Sequence, residues 1–121
     1  MIDQLLLVTW AAAGGMTFEA AKALADKQEA ALSSAQTQEL IASQGKIVGP
    51  TFAACMPSLP PNRAPAFTVV MSLDATGKVQ ATWLSDSTEF AKCVEAHFAR
   101  ASLFKPPSAP FFTSFEYTSE P

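Results

Sequence analysis

AFTVVMSLDATGKVQATWLS, residues 66–85, decides the fold. Phe67, Val69, Met71 and Leu73 alternate with Ala66, Thr68, Val70 and Ser72. Successive side chains of a strand point to opposite faces, so this spacing predicts a half-buried strand. Asp74, Ala75, Thr76 and Gly77 follow; Asp suits the start of a turn and Gly the positive φ that closes it. A second alternating run begins at Lys78, with Val79, Ala81 and Trp83 expected on one face and Lys78, Gln80 and Thr82 on the other. Two such runs across a tight turn make an antiparallel hairpin.

Working outward, the period changes after Ser85. Phe90, Val94, His97/Phe98, Ala101 and Phe104 recur at helical spacing, predicting a helix from Asp86 to about Phe104. Asp86 is the expected N-cap, with Glu89 completing a capping box, and Pro106 and Pro107 the expected stop. Phe111 to Thr118 reads as strand again, with Phe111, Thr113, Phe115 and Tyr117 on one face. A right-handed crossover brings this strand back parallel to the second one. The simplest solution places it beside the first, in order 2-1-3 with all neighbours antiparallel, and lays the helix on the Phe67/Val69/Met71 face. The fold class is therefore α+β, with N-terminal helices followed by a ββαβ unit.

Upstream, Thr17 is the expected cap of a helix whose stripe is Phe18, Ala21, Leu24/Ala25, Gln28 and Ala31/Leu32. That stripe is mostly alanine, so weak docking is expected. Ser33 and Ser34 mark a break. A further helix is expected from about Thr37, along Leu40/Ile41, Gln44, Ile47/Val48, Phe52 and Cys55, with a kink or fresh start at Gly49-Pro50. Residues 56–65 hold a proline-rich connector that cannot be a central strand. Residues 1–16 carry an apolar run of signal-peptide length, too short to span a bilayer, but with acidic Asp3 instead of a basic start. A leader, an N-terminal helix and a truncated anchor all fit it. The organisation expected is residues 1–16, then one domain at 17–121: helices at 17–55, the connector at 56–65 and the ββαβ unit at 66–118.

The residue order of the ββαβ unit resembles the C-terminal domain of TonB-type energy transducers, closest to the AgmX/PglI-type variant. The resemblance rests on the strand ending in Asp74, Ala75, Thr76, Gly77, Lys78 and Val79, on Ser85, and on the cysteine-bearing helix. The Phe104-Lys-Pro-Pro107 exit, the terminal aromatic strand and the upstream helix ending in Cys55 complete it, over about Leu40 to Tyr117. It implies a protein-binding, transport-related role in the bacterial cell envelope, with a partner chain engaged along the last strand. Phe112, Ser114, Glu116 and Thr118 are the expected contact residues, because they point away from the core face of that strand. These 121 residues hold no long proline-rich spacer of the kind that full energy transducers carry, so an excised domain and a free-standing relative both fit.

Composition narrows the classes further. The chain has 121 residues, 49% of them hydrophobic, enough for one core. A net charge of −3 without a basic cluster speaks against nucleic acid. Cys55 and Cys93 form no CxxC motif; they read as two buried thiols or one disulfide. Both fall on helices expected near the same sheet, which favours a disulfide and a periplasmic or secreted location. His97 stands one helical turn after Cys93. With Cys55 this trio could ligate a metal, or Cys93 and His97 could act as nucleophile and base. The ligand spacing of zinc sites and an orienting third group are both missing. No Gly-x-Ser-x-Gly or phosphate loop occurs, and the carboxylates are scattered. The expectation is a non-enzymatic protein without cofactor or metal, with no stable membrane span, binding a protein partner. Edge-paired or domain-swapped homodimers are open to it. An inhibitor or immunity-type protein that plugs an enzyme cleft is the alternative, and a thiol enzyme the second alternative.

Overall fold

The structure is a computed structural model that describes residues 15–59 and 66–118. The apolar run near the start and all but Met56–Leu59 of the connector lie outside the described residues. Helices α1 (Phe18–Ala30) and α2 (Ser34–Cys55) precede a 3₁₀ turn at Met56–Ser58. Strands β1 (Phe67–Leu73) and β2 (Val79–Leu84), helix α3 (Glu89–Phe98) and strand β3 (Phe111–Tyr117) follow. The sheet has the order β2-β1-β3, and both pairings are antiparallel. No helix among the described residues is long and apolar enough to cross a membrane.

β1 is the centre. Val69, Val70, Met71 and Leu73 are all fully buried, so both of its faces are covered. On the first face, Phe67, Val69, Met71 and Leu73 meet Leu40 and Cys55 of α2 and Phe90, Val94 and Phe98 of α3. Aromatic rings knit this layer, most of the pairs edge to face and those of Tyr117 with Phe52 and Phe67 tilted and stacked. Phe52 of α2 stands 5.4 Å from Phe90 of α3 and 5.6 Å from Tyr117 of β3, ring centre to ring centre. Such pairs add about 0.5–1.5 kcal/mol each beyond the area they bury. On the second face, Val70, Phe112 and Trp83 meet Ala21 and Ala25 of α1. The expected alanine stripe does form, but it docks closely: both alanines have no exposed surface. Small side chains let the helix lie directly on the large rings of the sheet.

Local chemistry sets the boundaries. The Thr17 hydroxyl accepts from Ala20 N–H at 3.1 Å and starts α1, as its position predicts. Ser33 starts α2 with a full capping box: its hydroxyl accepts from Gln36 N–H, and the Gln36 side chain accepts from Ser33 N–H. α2 thus begins earlier than Thr37 and runs unbroken through Pro50. Thr88, rather than Asp86, caps α3, its hydroxyl accepting from Ala91 N–H. Asp86 instead accepts from Thr88 N–H and so braces the cap. α3 ends at Phe98, well before the prolines, because residues 101–103 leave the helix to pair with the start of β2.

The hairpin holds two corrections to simple alternation. The ladder slips between Ser72 and Leu73, so Ala81 and Val79 oppose them and Gln80 is passed over. This bulge turns Val79 to the α2/α3 face while Trp83 lies on the α1 face, so the two do not share a side. The turn itself is built on Asp74. Its carboxylate accepts from the Thr76 hydroxyl at 2.7 Å and from the N–H groups of Thr76 and Lys78. The Thr76 hydroxyl, joined by these main-chain donors, holds the Asp74 carboxyl below its ordinary value. Gly77 has φ +96°, and a Cβ there would press on the carbonyl oxygens of Leu103 and Phe104, 2.7 Å from the former. Gly77→Ala should therefore cost about 2–3 kcal/mol, combining a left-handed backbone with a backbone clash. Urea unfolding checks this; a change below about 0.5 kcal/mol would mean that the turn and the 101–103 segment are not locked together.

Candidate functional site

A three-stranded sheet presents two margins, and the chain treats them differently. In β3 the main-chain groups of Thr113 and Phe115 face β1, while those of Phe112, Ser114 and Glu116 alternate outward. Side chains meet the first half of that outer row. Gln28 of α1 accepts from Phe112 N–H at 2.6 Å and donates to the Pro110 carbonyl at 3.4 Å. Glu29 accepts from Ser114 N–H at 2.9 Å, and Gln44 of α2 donates to the Ser114 carbonyl at 3.3 Å. The fully buried Thr113 hydroxyl donates to Glu29 and accepts from Gln44. α1 packs on one face of β3 and α2 on the other, so the helical pair straddles the edge. Three polar side chains do there what a fourth strand would do.

The four expected contact residues are placed accordingly. Phe112 does not face outward for contact: it is 4% exposed and lies 5.6 Å from the Trp83 ring beneath α1. The reason is that α1 covers the second sheet face, which the sequence reading left open. Ser114 is half-buried, with both main-chain groups engaged. Glu116 is exposed, and Lys22 of α1 lies 3.5 Å from its carboxylate. Lys22 also pairs with Asp26 at 2.5 Å, and that hydrogen bond, with the two acidic charges, raises its pKa against a modest cost of burial. Thr118 is exposed at the end of the strand. Gln28, Glu29 and Gln44 were not singled out from the sequence. Two of them carried a signal: Gln28 and Gln44 are polar residues in the inner stripe of otherwise apolar helix faces, where an amide needs partners.

β2 is closed only at its start. Val79 N–H donates to the Ala101 carbonyl at 3.0 Å, and Leu103 N–H donates to the Gly77 carbonyl at 2.8 Å. Ser85 N–H is turned inward to the Thr68 carbonyl, so by alternation Leu84 and Thr82 direct their main-chain groups away from β1. No described hydrogen bond reaches those outer groups. Trp83 and Leu84 flank this stretch half-buried, on opposite faces, and Gln80 is exposed.

The second concentration of chemistry is sulfur. Cys55 at the end of α2 and Cys93 on α3 form a disulfide, with Cα atoms 5.7 Å apart. The sulfurs and a ring nitrogen of His97 all lie within 4.8 Å of one another. With both cysteines bridged, neither is a thiol here, and the nucleophile reading has no nucleophile in this state. A hollow of about 100 Å³ between Gln28, Ala31, Leu32, Pro107, Ser108 and Phe111 brings no acid, base or thiol together. In comparisons with family models, curated proteins and solved structures, the chain matches none.

Two outcomes are expected. The Cys55→Ser/Cys93→Ser double variant should lose about 3–4 kcal/mol, since the bridge closes a loop of 38 residues. A fall in Tm of roughly 10–15 °C checks it. Glu29→Ala should cost about 1–3 kcal/mol by orphaning the buried Thr113 hydroxyl and Ser114 N–H, whereas exposed Glu39→Ala should stay within about 0.5 kcal/mol. Equal effects in urea titrations would show that the edge contacts are unimportant.

Proposed function

We propose that this chain is a non-enzymatic protein-binding domain of the bacterial cell envelope, periplasmic or secreted, that takes an extended segment of another polypeptide along the margin of β2. The disulfide supports an oxidising compartment. The order of elements, hairpin then helix then terminal strand, supports the likeness to TonB-type C-terminal domains. The observation that carries the reading is the contrast between margins. β3 has its outer main chain bonded by Gln28, Glu29 and Gln44. The outer groups of Thr82 and Leu84 take no described hydrogen bond.

An added strand would gain main-chain hydrogen bonds from this row, and its alternate side chains would meet Trp83 on one face and Leu84 on the other. The binding edge is thus moved from the last strand, where the family resemblance would put it, to the second. Only Glu116 and Thr118 of β3 remain outward, too short a run for a strand of ordinary length.

Thr82→Pro tests the reading. Proline removes the outward N–H without touching the β1 ladder, which edge strands tolerate. Thr82→Val is the control; like the proline variant it loses the hydroxyl bond to Glu95, but it keeps the N–H. A photo-cross-linking residue at Gln80 in cells should yield one dominant protein adduct. Thr82→Val should retain that adduct and Thr82→Pro should reduce it at least tenfold. Adducts that persist in Thr82→Pro, or form only from position 116, would overturn the assignment to β2.

A further inference from the structure

We infer that the Cys55–Cys93 bridge is the oxidised form of a cuprous-ion site completed by His97. Three soft or borderline donors converge: two sulfurs and one imidazole nitrogen, all within 4.8 Å of one another. Two of them, Cys93 and His97, stand four residues apart on α3 and so project from one helix face. The third comes from the last residue of α2. Both helices are anchored in the same core layer, through Phe52 against Phe90 and through the contacts of Cys55 itself. The donors are therefore placed by packing that does not depend on an ion.

The chemistry of the set selects the ion. Thiolate favours Cu(I) and Zn(II) over hard cations. Structural zinc takes four ligands in a tetrahedron. Here the trio is joined by no fourth histidine, cysteine or carboxylate among the described residues, and the Glu95 carboxylate accepts from the Thr82 hydroxyl at 2.9 Å. Cu(I) is content with three ligands in a plane. Cys93 and His97 are half-buried, which gives solvent-borne reagents access, while Cys55 is fully buried.

The redox step balances simply. A small dithiol supplies two electrons and two protons to the S–S bond, leaving two thiols here and a disulfide on the reductant. Each thiol releases its proton to solvent on binding Cu(I), which keeps its oxidation state. Metal–sulfur bonds of about 2.3 Å require the sulfurs to move apart by side-chain rotation, across an unchanged Cα separation of 5.7 Å. A small-molecule disulfide reverses this by exchange: it takes up two electrons and two protons to become two thiols, the Cys55–Cys93 bond re-forms and Cu(I) is released, so loading follows the thiol state of the surroundings.

The experiment uses the whole chain, reduced by dithiol under nitrogen and freed of reductant, in competition with a chromophoric Cu(I) chelator. Reduced protein should withdraw one equivalent of Cu(I), and X-ray absorption should report two sulfurs and one nitrogen. Oxidised protein should withdraw at least a hundredfold less. His97→Gln, which leaves the disulfide able to form, should bind Cu(I) at least tenfold more weakly after reduction, and its oxidised form should keep the wild-type circular dichroism. Four results would overturn the site: equal binding by oxidised protein, unchanged affinity in reduced His97→Gln, preference for Zn(II), or loss of helical signal on reduction.

Discussion

Everything in this molecule depends on β1 being covered on both faces and paired on both edges. Val69, Met71 and Leu73 face one helical layer and Val70 the other, all fully buried. A strand in that position cannot slip by one residue without exchanging its two environments. The pairs Leu73↔Val79 and Leu73↔Phe111 extend the constraint outward to both neighbours. The bulge beside Leu73 is accommodated on β2, where Gln80 is the extra residue, and β1 keeps its register with β3.

The same constraint explains why the helices are arranged as they are. A small sheet with two apolar faces needs a cover on each, and α1 and α2, joined by only Ala31–Ser33, supply one each. Two helices so closely connected can occupy opposite faces only by passing round an edge. That edge is β3, and it is there that Gln28, Glu29 and Gln44 find main-chain partners. Coverage of the faces and closure of the margin are thus one event. The β2 margin lies on the far side, out of reach of this pair.

Much of this was written plainly in the sequence. Alternation in residues 66–73, the Asp74–Gly77 turn and the crossover rule were enough for the sheet order, which the structure shows as β2-β1-β3. Thr17 was legible because capping is a local matter. The bulge was not, since Gln80 and Thr82 look alike to a period of two; only the pairing partner reveals the slip. Nor was the start of α3, where Asp86 and Thr88 are both good caps and Thr88 takes the role. Pro50 suggested an interruption, yet α2 continues through it, because packing of Leu40, Ile47, Phe52 and Cys55 along one side outweighs a single lost bond. Phe112 was misplaced for a tertiary reason: whether its face is wet depends on where an alanine-rich helix, remote in sequence, comes to rest.

The sulfur linkage has one more consequence. It joins the last residue of α2 to the first half of α3, so that β1 and β2 fall inside a covalent ring while α1 and β3 hang outside it. One scission anywhere between the half-cystines opens the ring but does not part the molecule. The piece bearing α1 and α2 stays leashed to the piece bearing α3 and β3, and the clasp of helices on the terminal strand persists. A single nick within the ring would therefore release no fragment of the chain.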